Sequence, residues 1–164
     1  MRQATVLCWA GLETLASDVF IALVNAKPDM AGVLFRDPRT KRYYQGRDLA
    51  LALEEHNYNL SLCMGEVLVD QHRIDDVEGM RNIFDVLFPS SDSLRHALSE
   101  EKLWRLSQDR NLIVHRRGTI DRQYVAKTGS KLPLGTRLRV HPDSLEEYFQ
   151  YSRTVAIEIL KALS

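Results

Sequence analysis

Between Gln3 and Ala26 the apolar residues Val6, Trp9, Leu12, Val19, Leu23 and Ala26 recur near one helical face, and Lys27-Pro28 ends the pattern. This spacing predicts a helix of about six turns, because an extended strand would throw the same residues onto both of its faces. Glu13 and Asp18 lie within the stretch, and no run of 18 or more uncharged apolar residues occurs anywhere. The expectation is therefore a core helix of a cytoplasmic protein, with neither a membrane span nor a secretion signal.

The rest of the chain reads mostly as helix. GVLFRDPRTKRYYQG is rich in turn-forming and basic residues and predicts a loop, and a second helix follows from Arg47 to about Val69. A shorter amphipathic helix runs from Asp75 to Leu87, stopped by Pro89, and SSDS at 90–93 offers N-caps for the next. That helix continues, with a kink near Ser99, through LWRLSQDRNLIVHRR, where Gly118 is placed to be its left-handed C′ residue. IDRQYVAK and TRLRVH alternate polar and apolar residues around a Gly-containing turn, which predicts a β-hairpin over 120–140. Asp143, with Glu146 three residues on, predicts a capping box for a closing helix. The sum is a single all-α domain over 1–164, an up-and-down bundle of four to five helices with a short hairpin before the last. A chain of 164 residues is the usual size for one core.

The segment RNLIVHRRG places an arginine, an asparagine and a histidine in an apolar run beside Leu103, Leu106, Leu112 and Ile113. On a helix Asn111 and His115 stack four residues apart, and Arg110 lies about 140° around the axis from His115, within reach of a long side chain. The three suit phosphodiester cleavage. Histidine exchanges protons near neutrality, arginine matches two phosphate oxygens with a charge it never loses, and asparagine fixes the imidazole or holds the phosphate. They also suit a structural role, capping carbonyls and complementing the helix dipole. One histidine is short of the two proton-transfer groups that acid–base cleavage uses, and a two-fold dimer would supply the second.

RNLIVHRRGTID resembles the R-N-x-x-x-H signature of the HEPN superfamily, including the small-residue and Asp tail that follows it. The layout is similar too: a long first helix containing Leu12-Glu13, the motif on a late helix, a hairpin and a closing helix. The resemblance implies a metal-independent endoribonuclease of the kind found in toxin–antitoxin, abortive-infection and anti-phage systems, active as a homodimer whose two motifs line a shared cleft. On that carry-over Arg110 and His115 form the catalytic pair and Asn111 assists, with RNA as substrate, an antitoxin or defence protein as partner, and no metal or other cofactor. A catalytically silent module that binds nucleic acid or a protein is the alternative. HEPN toxins neutralised by a nucleotidyltransferase carry a tyrosine two residues after the histidine, where this chain has Arg117.

Charge is uneven. The whole chain has net charge zero, which argues against indiscriminate coating of nucleic acid, yet ten lysines and arginines face only three acids between Glu101 and His141. Arg116, Arg117 and Arg122 either hold an RNA backbone, without choosing its sequence, or are simply solvent-facing charge. Glu13 either orients Arg110 or lies at the surface, the latter being favoured. Tyr43-Tyr44 either stack on bases or pack on the bundle, with packing favoured. Asp70, His72, Asp75 and Asp76 have irregular spacing for a metal site, and Cys8 and Cys63 read as reduced thiols.

Overall fold

The computed structural model describes residues 1–44, 51, 54–57, 59–60 and 63–163. The helices are α1 (Arg2–Ala26), α2 (Asp29–Arg36), α3 (Met64–Gln71), α4 (Val77–Leu87), α5 (Asp92–Ser99), α6 (Glu101–Arg116), α7 (Arg122–Thr128) and α8 (Pro142–Ala162), with a 3-10 turn at Lys41–Tyr43. The fold is all-α, but with eight α-helices among the described residues instead of four to five. Of the helix predicted over 47–69, residues 47–50, 52, 53, 58, 61 and 62 lie outside the described residues; the described part is not one continuous helix, since a turn at His56–Asn57, with Asn57 at φ +51°, interrupts it before α3.

The central element is α1, which packs against α3, α6 and α8. By length and apolarity it is the one described helix that could cross a membrane. Here its apolar face meets other helices: Trp9, Leu12, Ala16, Phe20 and Val24 are buried in the core. Leu68, Phe84, Leu98, Leu103 and Leu106 close on them from the surrounding helices. The approach of α3 to α1 depends on Gly65, since a Cβ there would stand 2.6 Å from the Ile21 backbone. Asn25 secures the contact, accepting from the Gly65 N–H at 2.7 Å and donating to Glu66 at 2.8 Å.

Two of the extra helices have clear local causes. At Glu100 the backbone turns extended (φ −62°, ψ 130°), which separates α5 from α6 where a kink was expected. Arg81 donates to the Leu98 carbonyl (3.1 Å), one of those freed there, and the Ser99 hydroxyl adds a bond to the Arg95 carbonyl (2.8 Å) in the last turn of α5.

The hairpin predicted over 120–140 is not formed. IDRQYVAK folds instead as α7: the Asp121 carboxylate accepts from the Tyr124 N–H at 2.8 Å as a true N-cap, and Gly129, at φ +63°, ends the helix. Ile120, just ahead of the N-cap, and Tyr124 are four apart, a spacing that suits packing on one side of a helical turn as well as one face of a strand. A lone two-stranded hairpin is marginal in water, and docking against α6 favours the helix. What persists of the strand pairing is one antiparallel bridge between Thr119 and Arg137, flanked by Leu138 N–H to Gly118 carbonyl (2.7 Å) and Ile120 N–H to Thr136 carbonyl (2.8 Å). Leu112, Ile120, Tyr124 and Leu138 bury a second small core under it. The Asp143 capping box is also absent: α8 begins one residue earlier with Pro142 in its first turn and no side-chain cap bond.

Candidate active site

The last two turns of α6 carry the motif, and their geometry starts one residue before it. Asp109 is buried, and its carboxylate accepts from Tyr124 Oη at 2.6 Å, Tyr148 Oη at 2.8 Å and Arg105 Nε at 3.2 Å. Arg105 also donates to Tyr124 Oη at 2.9 Å. One acid thus ties α6 to α7 and α8. Burial pushes both phenols above their ordinary pKa, and the neighbouring Asp109 charge adds to the effect. The next residue, Arg110, lies about 100° further round α6.

Arg110 is pinned from two directions. Its Nη1 donates to Asn111 Oδ1 at 2.9 Å, and its Nη2 to Glu13 Oε2 of α1 at 3.2 Å. The pair is mostly sheltered, with 21% of the Arg110 side chain and 28% of the Glu13 side chain exposed. Glu13 is therefore a partner of Arg110, where the sequence favoured a surface position. Burial raises the Glu13 carboxyl pKa, and Arg110 opposes that rise only in part. The Arg110 Nε is buried with no acceptor among the described residues, so the guanidinium is oriented without being fully satisfied.

Arg110, Asn111 and His115 line one cleft of about 420 Å³. Its floor is the α6 stripe Gln108, Asn111, Leu112 and His115, at the i, i+3, i+4, i+7 spacing of a helix face. One wall is the loop residues Asp75 and Asp76; the other is Asp121, Gln123, Tyr124 and Lys127 at α7. His115 is exposed at the end of the floor. Gln108, Gln123 and Lys127 were not singled out from sequence, although the spacing of Gln108 from Asn111 and His115 carried the signal.

The three flanking arginines part company. Arg116 lies at the cleft rim, paired with Asp121 at 3.2 Å. Arg122 lines a contiguous shallow depression with Arg116, Thr119 and Gln123. Arg117 lines a groove on a different side of α6, with Arg2, Val6, Leu7 and Ile113. The cause is the helix end. Arg117, not Gly118, takes the first left-handed position (φ +55°), and Gly118 follows at φ +76° with its N–H on the Leu112 carbonyl at 3.0 Å. A non-glycine residue there costs on the order of 1 kcal/mol. Gly118 itself is held close to Arg2, whose Nη1 would be 3.1 Å from an added Cβ.

The remaining candidates are structural. The Tyr43 ring stacks on His72 with centroids 3.7 Å apart and planes 2° from parallel, and its hydroxyl accepts from Asn82 at 2.9 Å. Tyr44 packs edge-on against Phe35. Both tyrosines thus pack on the bundle. Burial holds the His72 imidazole below its ordinary pKa. Asp76 caps α4 through the Gly79 N–H at 2.6 Å, and no group of three or more metal-ligating side chains converges among the described residues. Cys8 is a free thiol buried against Ser152 Oγ at 3.2 Å, and Cys63 is also free.

Comparison with protein-family models, with curated proteins and with solved structures gives no significant match.

Proposed function

We propose that the chain is a metal-independent endoribonuclease that cleaves RNA by attack of a 2′-hydroxyl on the adjacent phosphate. The observation that carries this reading is the opening of Arg110, Asn111 and His115 onto one polar cleft. His115, exposed at the end of α6, takes the 2′-hydroxyl proton as the oxygen attacks phosphorus. Arg110, held by Glu13 and Asn111, supplies fixed positive charge to the phosphorane, where a pre-oriented donor is worth more than a mobile one. The P–O5′ bond then breaks, leaving a 2′,3′-cyclic phosphate and a 5′-hydroxyl. Protonation of that leaving oxygen falls to a second His115 across a two-fold homodimer, which doubles every residue at its axis. The HEPN-like motif supports the same reaction and, with it, a role as a toxin or anti-phage effector in the cytoplasm, restrained by a partner protein.

A silent binding module is the rival. It is favoured by Arg110 being already engaged by two side chains. The two are separated by incubating the protein with single-stranded RNA in excess EDTA beside His115→Ala and Arg110→Ala. The nuclease reading expects cutting by the unaltered protein, lowered at least about 100-fold in each variant. Binding without cutting by all three would favour the rival.

A further inference from the structure

The cleft is not uniformly basic, and its acidic wall has no place in the reaction above. A ribonuclease built only to grip phosphate would line its groove with cations, because a carboxylate near the backbone repels it. Yet Asp75 and Asp76 share the cleft with the Arg110–His115 floor. Asp76 has one oxygen committed to the Gly79 N–H. Asp75 is exposed and makes no hydrogen bond or ion pair among the described residues. Its negative charge is felt at Glu13, the partner of Arg110.

A free carboxylate offers two acceptor oxygens and no donor. What it selects is a pair of adjacent N–H groups. Among the four bases only guanine presents two neighbouring donors, N1–H and the exocyclic amine, on its Watson–Crick edge. Adenine and cytosine present one donor beside an acceptor, and uracil one donor between two acceptors. Guanine's remaining O6 needs a donor, and the Gln108 side chain, whose amide can donate, lines the same cleft. Gln108 and His115 are seven residues apart on α6, about 10 Å along the axis, comparable with the reach of one nucleotide from base edge to phosphate. The cleft volume, about 420 Å³, lies within the roughly 300–1,000 Å³ usual for small-ligand sites.

Resting on the nuclease reading, we infer that the cleft holds a base pocket for an unpaired guanine beside the scissile linkage, with Asp75 accepting from its two N–H groups and Gln108 donating to its O6. The base must be unpaired because the edge being read is the one a duplex occupies. The pocket makes the enzyme choose guanosine in single strands and loops.

The test uses the full chain and single-stranded RNA oligonucleotides identical except at one position, occupied in turn by guanine, inosine, adenine, cytosine or uracil. Cleavage is mapped on one series. A second series carries 2′-fluoro at the attacking position and cannot be cut, so binding is read by fluorescence anisotropy. Cutting and binding should favour guanine about tenfold over each other natural base, with inosine, which lacks the exocyclic amine, down by a similar factor; Asp75→Asn should flatten the preference. Equal handling of guanine and inosine, or a preference undiminished in Asp75→Asn, overturns the pocket. Failure to cut any RNA sinks the nuclease reading instead, while the uncleavable series still decides whether guanine is selected.

Discussion

Replacing Asp109 by alanine removes the acceptor that three donors share. Tyr124 Oη, Tyr148 Oη and Arg105 Nε all converge on it, and Asp109 is only 4% exposed. A hydrogen bond to a charged group contributes about 1.5–3 kcal/mol, and stranding its buried partners costs more than losing the bond alone. The three bonds share one acceptor and do not add, so the expected loss is about 3–5 kcal/mol, the range for breaking a buried charged network. For a domain of this size that lowers Tm by roughly 10–15 °C. Asp109→Asn keeps the shape and can reverse one bond, because a tyrosine hydroxyl also accepts; it should lose about 1–2 kcal/mol. Urea titration followed by circular dichroism measures both. If Asp109→Ala loses less than about 1 kcal/mol, the network does not hold α7 and α8 to α6 and the stated basis for the cleft geometry is wrong.

Other consequences are as direct. Arg116→Ala and Arg122→Ala should each reduce the slope of log binding constant against log salt for single-stranded RNA by about 0.7, while Arg117→Ala leaves it unchanged; an equal effect of all three would place Arg117 on the RNA path after all. The raised Glu13 pKa means that folding favours its neutral form, so its stabilising contribution is present at low pH and is lost as pH rises from about 4.5 through the folded value. Glu13→Gln should therefore gain stability relative to the unaltered protein between pH 4 and pH 7, and a falling difference in chemical denaturation would contradict this. Under native conditions iodoacetamide should label Cys63 well before Cys8, whose thiol burial pushes away from the reactive thiolate; peptide mass spectrometry reads the order.

What could be read from the residues was the part written in local spacing. The apolar face of α1 between Trp9 and Leu23 and the floor residues Asn111 and His115 follow from a 3.6-residue period, and the structure keeps both. The segment over 120–140 fits a hairpin and a helix alike because Ile120 and Tyr124 suit both periods in so short a window, whereas Asp121 and Gly129 are helix signals that the apparent alternation obscures. The Asp109 network was invisible for a different reason. Its members lie 15 and 39 residues apart in the chain, and only one trace reached the sequence: an acid on the stripe that Leu106 and Leu112 mark as buried. A charge there needs partners, and distance along the chain hides them. The Glu13–Arg110 pair, 97 residues apart, is hidden in the same way.

The chemistry at Arg110 and His115 is tested most directly by the ends of its products. RNA digested by the purified protein in excess EDTA should yield fragments whose masses show 2′,3′-cyclic phosphate and 5′-hydroxyl termini, and a single 2′-deoxy substitution at the cut position should abolish that cut alone. Fragments with 5′-phosphate ends, or cutting that survives the loss of the 2′-hydroxyl, would contradict it.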